Sequence, residues 1–281
     1  MAFLQTSLGK ICSLKNPIVL ASGINGSTAG ELIRVAKDGA GALTSKSCNI
    51  AGRLGHQPPV CVPSEHFTIN AVGLSNPGAK AMVEQLTAAS VECSKLGVPI
   101  FASVFGETVQ EFVEASQIIE ASKPALIELD ISCPNTLNKA CFFSDSPESV
   151  SKVTSAVKNA VKTPISVKLA PNVPSIAELA LAAQGAGADC ITAINTMPGM
   201  IIDAVARRPV LTNKVGGVSG PALKPVALKC VYNISNAVEI PVIGTGGVNS
   251  GVDAAEMLIA GASAVGVGTA FYYRKNAFSE I

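Results

Sequence analysis

The chain has 281 residues, of which 48% are hydrophobic and 15% charged, and its formal net charge is +1. That is ample apolar material for a core and excludes a disordered, charge-rich chain. With no basic block, no Trp and only 4% aromatic residues, the sequence also excludes nucleic-acid binding through a basic patch or a base-stacking platform.

Short apolar runs alternate with helical patterns along the whole chain. The first predicted strand is Pro17–Ala21, followed by a helix over Ala29–Lys37. The second is Ala42–Lys46. A long excursion and a helix over Ala79–Leu96 separate it from the third, Pro99–Val104. A helix over Val109–Ala121, starting near Thr108, leads to the fourth strand, Ala125–Ile131. Next come a helix over Pro147–Val161 behind Asp145 or Ser146, strand Ile165–Leu169, a helix over Ile176–Gln184 behind Ser175, and strand Cys190–Ile194. A helix over Ala222–Val238, strand Pro241–Gly244, a helix over Val252–Ile259 behind Asn249-Ser250, and strand Ala264–Val267 complete the series. Ser, Thr and Asp at the starts, with Gly185, Gly187 and Gly261 at the ends, fit helix-terminus chemistry.

Near-continuously apolar strands suit a parallel sheet covered on both faces. Eight such units in one uninterrupted chain predict an α/β fold, a single (β/α)8 TIM barrel spanning residues 1–281. A doubly wound open sheet is the rival. Only Arg274–Ile281 remain for the last helix, so that helix is expected to be abbreviated.

No run of about 18 uncharged apolar residues is present, so no membrane-spanning helix is expected. The opening MAFLQTSLGK lacks the charged and apolar regions of a signal peptide, which gives a cytoplasmic expectation. The eight cysteines are Cys12, Cys48, Cys61, Cys93, Cys133, Cys141, Cys190 and Cys230; none forms a C-x-x-C pair, and the only histidines are His56 and His66. This spacing gives no support for a metal centre, and most of the thiols are read as reduced, buried, small apolar residues.

Barrel enzymes work at the C-terminal ends of their strands. The residues falling there are Ser22-Gly23, Lys46-Ser47, Asp130 with Cys133, Lys168, Asn195-Thr196, Gly246-Gly247 and Gly268-Thr269. In Ile127–Asn135 an apolar run ends in Asp130, and a Ser-Cys-Pro-Asn turn follows. A thiol held at a strand mouth serves as base or nucleophile if it sheds its proton near neutral pH. The Gly244–Gly251 and Gly266–Thr269 loops follow consecutive strands, and their bare N–H groups suit a phosphate. The same glycines also suit tight turns with no ligand. Lys46 and Lys168 end apolar strands and favour an anion or a reduced flavin ring. Asn70–Gly78, within the long excursion, offers backbone groups and an amide to a planar polar ligand.

With these residues assembled, the chain resembles class 1 dihydroorotate dehydrogenases over nearly its whole length. The resemblance rests on TSKS at 44–47, NAVGLSNPG at 70–78, ISCPN at 131–135, VKLAPNV at 167–173 and AINTMPGMIID at 193–203. It continues through GGVSGPALKP at 216–225, IGTGG at 243–247 and GASAVGVGTA at 261–270. LAPNV, NTMPGM and GGVSGPALKP are most similar to subclass 1B, whose catalytic subunit carries FMN and works with an electron-transfer subunit holding FAD and an iron–sulfur cluster.

The resemblance implies oxidation of dihydroorotate to orotate in pyrimidine biosynthesis. Cys133 would be the base that removes the C5 proton, with a hydride passing from C6 to flavin N5. It implies FMN contacts from Ser22, Lys46, Ser47, Asp130, Lys168, Ile194, Gly220, Gly246, Gly247, Gly268 and Thr269. Substrate contacts would come from Lys46, Asn70, Ala71, Val72, Gly73, Leu74, Asp130, Asn135, Asn195 and Thr196. A homodimer core is implied as well.

Three positions depart from the family pattern: Asp130 where it has Asn, Ser103 where subclass 1B commonly has Asn, and Val60 where an arginine closes the Arg53–Val60 motif. An ionised Asp130 accepts hydrogen bonds but donates none. Two alternatives therefore stay open: an enzyme similar to the flavin-dependent dihydropyrimidine dehydrogenases, and a divergent FMN-binding barrel without turnover. The electron acceptor (NAD through a partner, fumarate or a quinone) is not encoded in these motifs.

Overall fold

The computed structural model describes residues 4–132 and 143–281. Cys133, Asn135 and Cys141 lie outside the described residues. The eight predicted strands close into a parallel barrel: Ile18–Leu20, Ala42–Thr44, Ile100–Val104, Leu126–Asp130, Ile165–Leu169, Cys190–Ala193, Val242–Thr245 and Ala264–Val267. Closure decides against the open sheet. Four predicted strands end one or two residues early, and two of them do so for a local reason. Lys46 turns its N–H to the Gly26 carbonyl at 2.9 Å, and Ile131 turns its own to Leu129 at 3.1 Å, so both leave the ladder.

Alternation along the strands sorts the apolar side chains into two clusters. One faces the surrounding helices and includes Leu20, Leu43, Ala102, Leu129 and Val167. The other, inside the barrel, joins Val19, Ala42, Phe101, Leu126, Cys190, Ile243 and Ala264 to Leu8 and Leu14. Leu8 and Leu14 come from a hairpin, Thr6–Leu8 with Cys12–Leu14, that the apolar periodicity did not predict. These interior residues sit early in their strands, so the hairpin plugs the N-terminal end and leaves the C-terminal end for a site.

The helices span Ala29–Lys37, Ala79–Lys95, Val109–Glu120, Pro147–Ala160, Ile176–Gly185, Lys224–Ser235 and Gly251–Ile259. Their starts follow capping chemistry: the side chains of Thr28, Thr108, Ser146, Ser175 and Ser250 each accept a backbone N–H three residues on. The helix predicted over Ala222–Val238 is divided. A 3-10 turn, Pro221–Leu223, precedes Lys224–Ser235, with prolines at the start of both pieces. Two four-residue helices, Ala270–Tyr273 and Ala277–Glu280, fill the eighth helical position, and Phe278 is buried there.

The excursions after the second and sixth strands meet in one antiparallel sheet, in the order Met197–Gly199, Gly216–Ser219, Thr68–Asn70, Cys61–Pro63. Its pairing joins Asn70 to Gly217 and Met197 to Val218. The burial expected of the cysteines holds for Cys48, Cys93, Cys190 and Cys230, whereas Cys61 is exposed on the edge strand of this sheet. Among the described residues, no helix is long and apolar enough to cross a membrane.

Candidate functional site

A cavity of about 310 Å³ opens at the C-terminal ends of the barrel strands, with the excursion sheet as one wall. Ser22, Lys46, Ser47, Asp130, Lys168, Ile194, Asn195 and Thr196 reach it from the strand ends. Asn70, Val72, Gly73 and Leu74 reach it from the first excursion, and Gly220, Gly246, Gly247, Gly268 and Thr269 from the later loops. Ala71 is buried off the cavity wall, against Ile69 and Leu211.

The floor is a polar layer. Strand register sets Ser103 beside Glu128 and Asp130 beside Lys168. Lys168 Nζ donates to Ser22 Oγ at 2.6 Å and lies 3.6 Å from Glu128 Oε1. Both side chains of this ion pair are buried, 7% and 4% exposed. The Ser103 hydroxyl donates to the same Glu128 oxygen at 3.1 Å and lies 2.9 Å from Ser47 Oγ.

Glu128 was not among the sequence candidates, and Ser103 entered there only as a departure from the family pattern. The signal for Glu128 was its spacing: two residues before Asp130 on one strand places both on the same face.

Asp130 is surrounded by donors. Its Oδ1 accepts from Ser132 Oγ at 3.2 Å and Asn195 Nδ2 at 3.1 Å, and its Oδ2 lies 3.4 Å from Ser47 Oγ. Asn195 Nδ2 is also 3.0 Å from Ser132 Oγ, and Asn195 Oδ1 accepts the Thr196 N–H at 2.7 Å. The departure from Asn to Asp is thus matched by its surroundings, where an acceptor-only group satisfies several donors. The cluster ties the end of the fourth strand to the end of the sixth.

At the opposite side the walls are largely backbone. Gly246 and Gly247 have φ of 126° and 78°, in the region that favours glycine. A Cβ on Gly247 would meet the Lys224 nitrogen at 2.6 Å, and one on Gly246 would meet Ala227 Cβ at 2.8 Å. Glycine there lets the helix starting at Lys224 close on the loop after the seventh strand.

Asp253 holds that loop from behind. It accepts the Asn249 N–H at 2.9 Å, Ser250 Oγ at 2.8 Å and Lys224 Nζ at 2.5 Å. Burial pushes the Asp253 carboxyl up, but bonds from Lys224, Ser250 and Asn249 outweigh this and hold it below its ordinary 3.8. A lowered carboxyl contributes stability that is fully present above its ordinary value and lost as pH falls through the lowered one. Asp253→Asn is therefore expected to melt below wild type at neutral pH. The gap should shrink as acid protonates Asp253, which melting curves across a pH series will check.

Sequence reasoning also missed Phe67, Thr68, Tyr272, Tyr273 and Arg274, which line the mouth. Thr68 Oγ1 and the Tyr273 hydroxyl are 2.6 Å apart, joining the first excursion to the last turn of the chain. Arg274 donates to the Asn249 carbonyl and, at 3.2 Å, to Asn249 Oδ1. Nothing local in 271–274 signals this; it depends on how the C-terminal turn folds back.

Comparison with known proteins agrees with this geometry. The dihydroorotate dehydrogenase family model matches residues 4–281. A relative from Methanosarcina acetivorans, named dihydroorotate dehydrogenase B (NAD(+)), catalytic subunit, is 45% identical over 269 residues, covering 95% of this chain and 86% of its own. Relatives of the same name from Methanothermobacter thermautotrophicus and Thermococcus kodakarensis are 45% and 43% identical, covering 96% and 92% of this chain and 88% and 84% of theirs. With its closed barrel, its strand-end cavity and these matches along its length, the chain belongs to the dihydroorotate dehydrogenase family.

Proposed function

We propose that the chain is the FMN-carrying catalytic subunit of a B-type dihydroorotate dehydrogenase, oxidising dihydroorotate to orotate in pyrimidine biosynthesis. The observation that carries this reading is the joining, in one cavity, of Lys46 and Lys168, the Asp130–Ser132–Asn195 cluster and the glycine loops after the seventh and eighth strands.

The donor set fits FMN. Backbone at Gly246, Gly247, Gly268 and Thr269 suits a phosphate. Ser22, Lys46, Ser47, Lys168 and Ile194 would hold the ring system. When bound, FMN supplies the two-electron oxidant that takes the hydride.

The chain's own residues bind and orient the pyrimidine. Among the described residues, no acceptor is bonded to the N–H groups of Val72, Gly73 or Leu74, and all three residues line the cavity. Consecutive free N–H groups form an anion nest, and the carboxylate of dihydroorotate is its ligand here. Lys46 adds positive charge, and Asn195 and Thr196 contact the ring. Asp130 presents acceptor oxygen to a ring N–H. Cys133, directly after Ser132 in sequence, removes the C5 proton. Electrons then pass to an FAD- and iron–sulfur-carrying partner subunit in the cytoplasm, around a homodimer of this chain.

The test is anaerobic mixing of the purified chain with dihydroorotate, then with dihydrouracil or dihydrothymine, while flavin absorbance is followed. Dihydroorotate is expected to bleach a yellow protein that releases FMN on denaturation. A colourless preparation that takes up no FMN, or bleaching by the neutral dihydropyrimidines alone, overturns the reading.

A further inference from the structure

We infer that His56 is a positioning residue that presets the backbone nest at Val72–Leu74 for an anionic carboxylate. His56 does not line the cavity; it grips the loop from behind. Its backbone N–H donates to the Val72 carbonyl at 3.1 Å. Its Nδ1 lies 3.1 Å from the Ala71 carbonyl, which can only accept, so Nδ1 carries the proton. The ring packs where Gly73 lacks a Cβ: an added Cβ would meet His56 Cγ and Cδ2 at 2.8 Å.

These contacts dictate where the loop's donors point. A trans peptide sets its C=O and N–H in opposite directions. With the Ala71 and Val72 carbonyls drawn toward His56, the N–H groups of Val72 and Gly73 turn the other way, into the cavity. The conformation needs such support, because Gly73 and Leu74 have φ of 74° and 57° in succession, and the left-handed region is unfavourable for leucine. Asn76 holds the far side, donating from Nδ2 to the Leu74 carbonyl at 2.8 Å. His56 therefore acts at the near end of the nest, on the two peptides whose carbonyls it binds.

The inference rests on the reading of the cavity as a dihydroorotate site. Its test uses the FMN-loaded chain, with orotate titrated against the flavin spectrum. His56→Leu keeps bulk against Gly73 but removes the Nδ1 donor; His56→Asn keeps an amide donor at the same reach. His56→Leu is expected to weaken orotate binding roughly tenfold and raise KM for dihydroorotate more than it lowers kcat, with FMN content unchanged and the melting temperature lowered by no more than a few degrees. His56→Asn is expected to restore orotate affinity to near wild type. Wild-type orotate affinity in His56→Leu overturns the inference, as does equal loss in both variants or loss that tracks FMN content. If the wild-type chain holds FMN but binds no orotate, the dihydroorotate reading itself falls, and the inference with it.

Discussion

Cys133→Ala is expected to slow reduction of the bound flavin by dihydroorotate by about 10²-fold or more, the usual range for a lost general base. FMN should stay bound at wild-type stoichiometry, because the residues assigned to it lie on the barrel strands and the glycine loops. The thiol is singled out by its place in the chain and by the unsuitability of the cysteines among the described residues. Burial pushes the Cys48 and Cys190 thiols up to about 12, and Cys12 to about 11, so none of these supplies a thiolate near neutral pH. Cys61 lies on the edge of the excursion sheet, and burial raises its thiol as well.

Cys133 follows directly on Ser132, which is fixed through Asp130 and Asn195. Single-turnover absorbance under anaerobic conditions separates the proton step from later electron transfer. Cys133→Ser, with a less acidic group of similar size, should fall between wild type and Cys133→Ala, and its rate should recover toward alkaline pH. A Cys133→Ala protein that reduces its flavin at the wild-type rate would remove the residue from this role.

The barrel was legible because each strand is apolar on both faces and each helix start carries a capping side chain. Those are local signals, and the eight strands and seven principal helices match them with shifts of a few residues. The N-terminal hairpin was not legible. Its strands are three residues each, too short for a period-two pattern, and Leu8 and Leu14 gain their meaning only by entering the barrel.

Much of the cavity wall followed from the strand-end rule, with the long excursion and the family motifs adding Asn70, Val72, Gly73 and Leu74. The rule says which end of a strand faces the site but not what lies one layer beneath, so Glu128 stayed within an apolar-looking run and Ser103 stood out only by its departure from the family pattern. The contributions of His56, Tyr273 and Arg274 depend on contacts between distant segments. Thr68 and Tyr273 are 205 residues apart in sequence, and no local pattern connects them.

Lys168→Met is expected to lower stability by roughly 3–5 kcal/mol, the cost of leaving one member of a buried pair uncompensated. For a chain of this size, that is a melting-temperature drop on the order of 10 °C. The penalty falls on Glu128, whose side chain is 4% exposed and which keeps the Ser103 hydroxyl as a donor at 3.1 Å. Glu128→Gln in the same protein removes the stranded charge but leaves an oxygen for Ser103, so the double variant should regain most of the lost melting temperature. Flavin binding should not return with it. Lys168 also lines the cavity, where its positive charge favours an anionic reduced ring, and neither methionine nor glutamine replaces that charge. Melting curves and FMN titrations on the single and double variants therefore separate the two roles. A double variant that recovers both stability and FMN affinity would show that Lys168 only neutralises Glu128, and its assignment to the flavin would be lost.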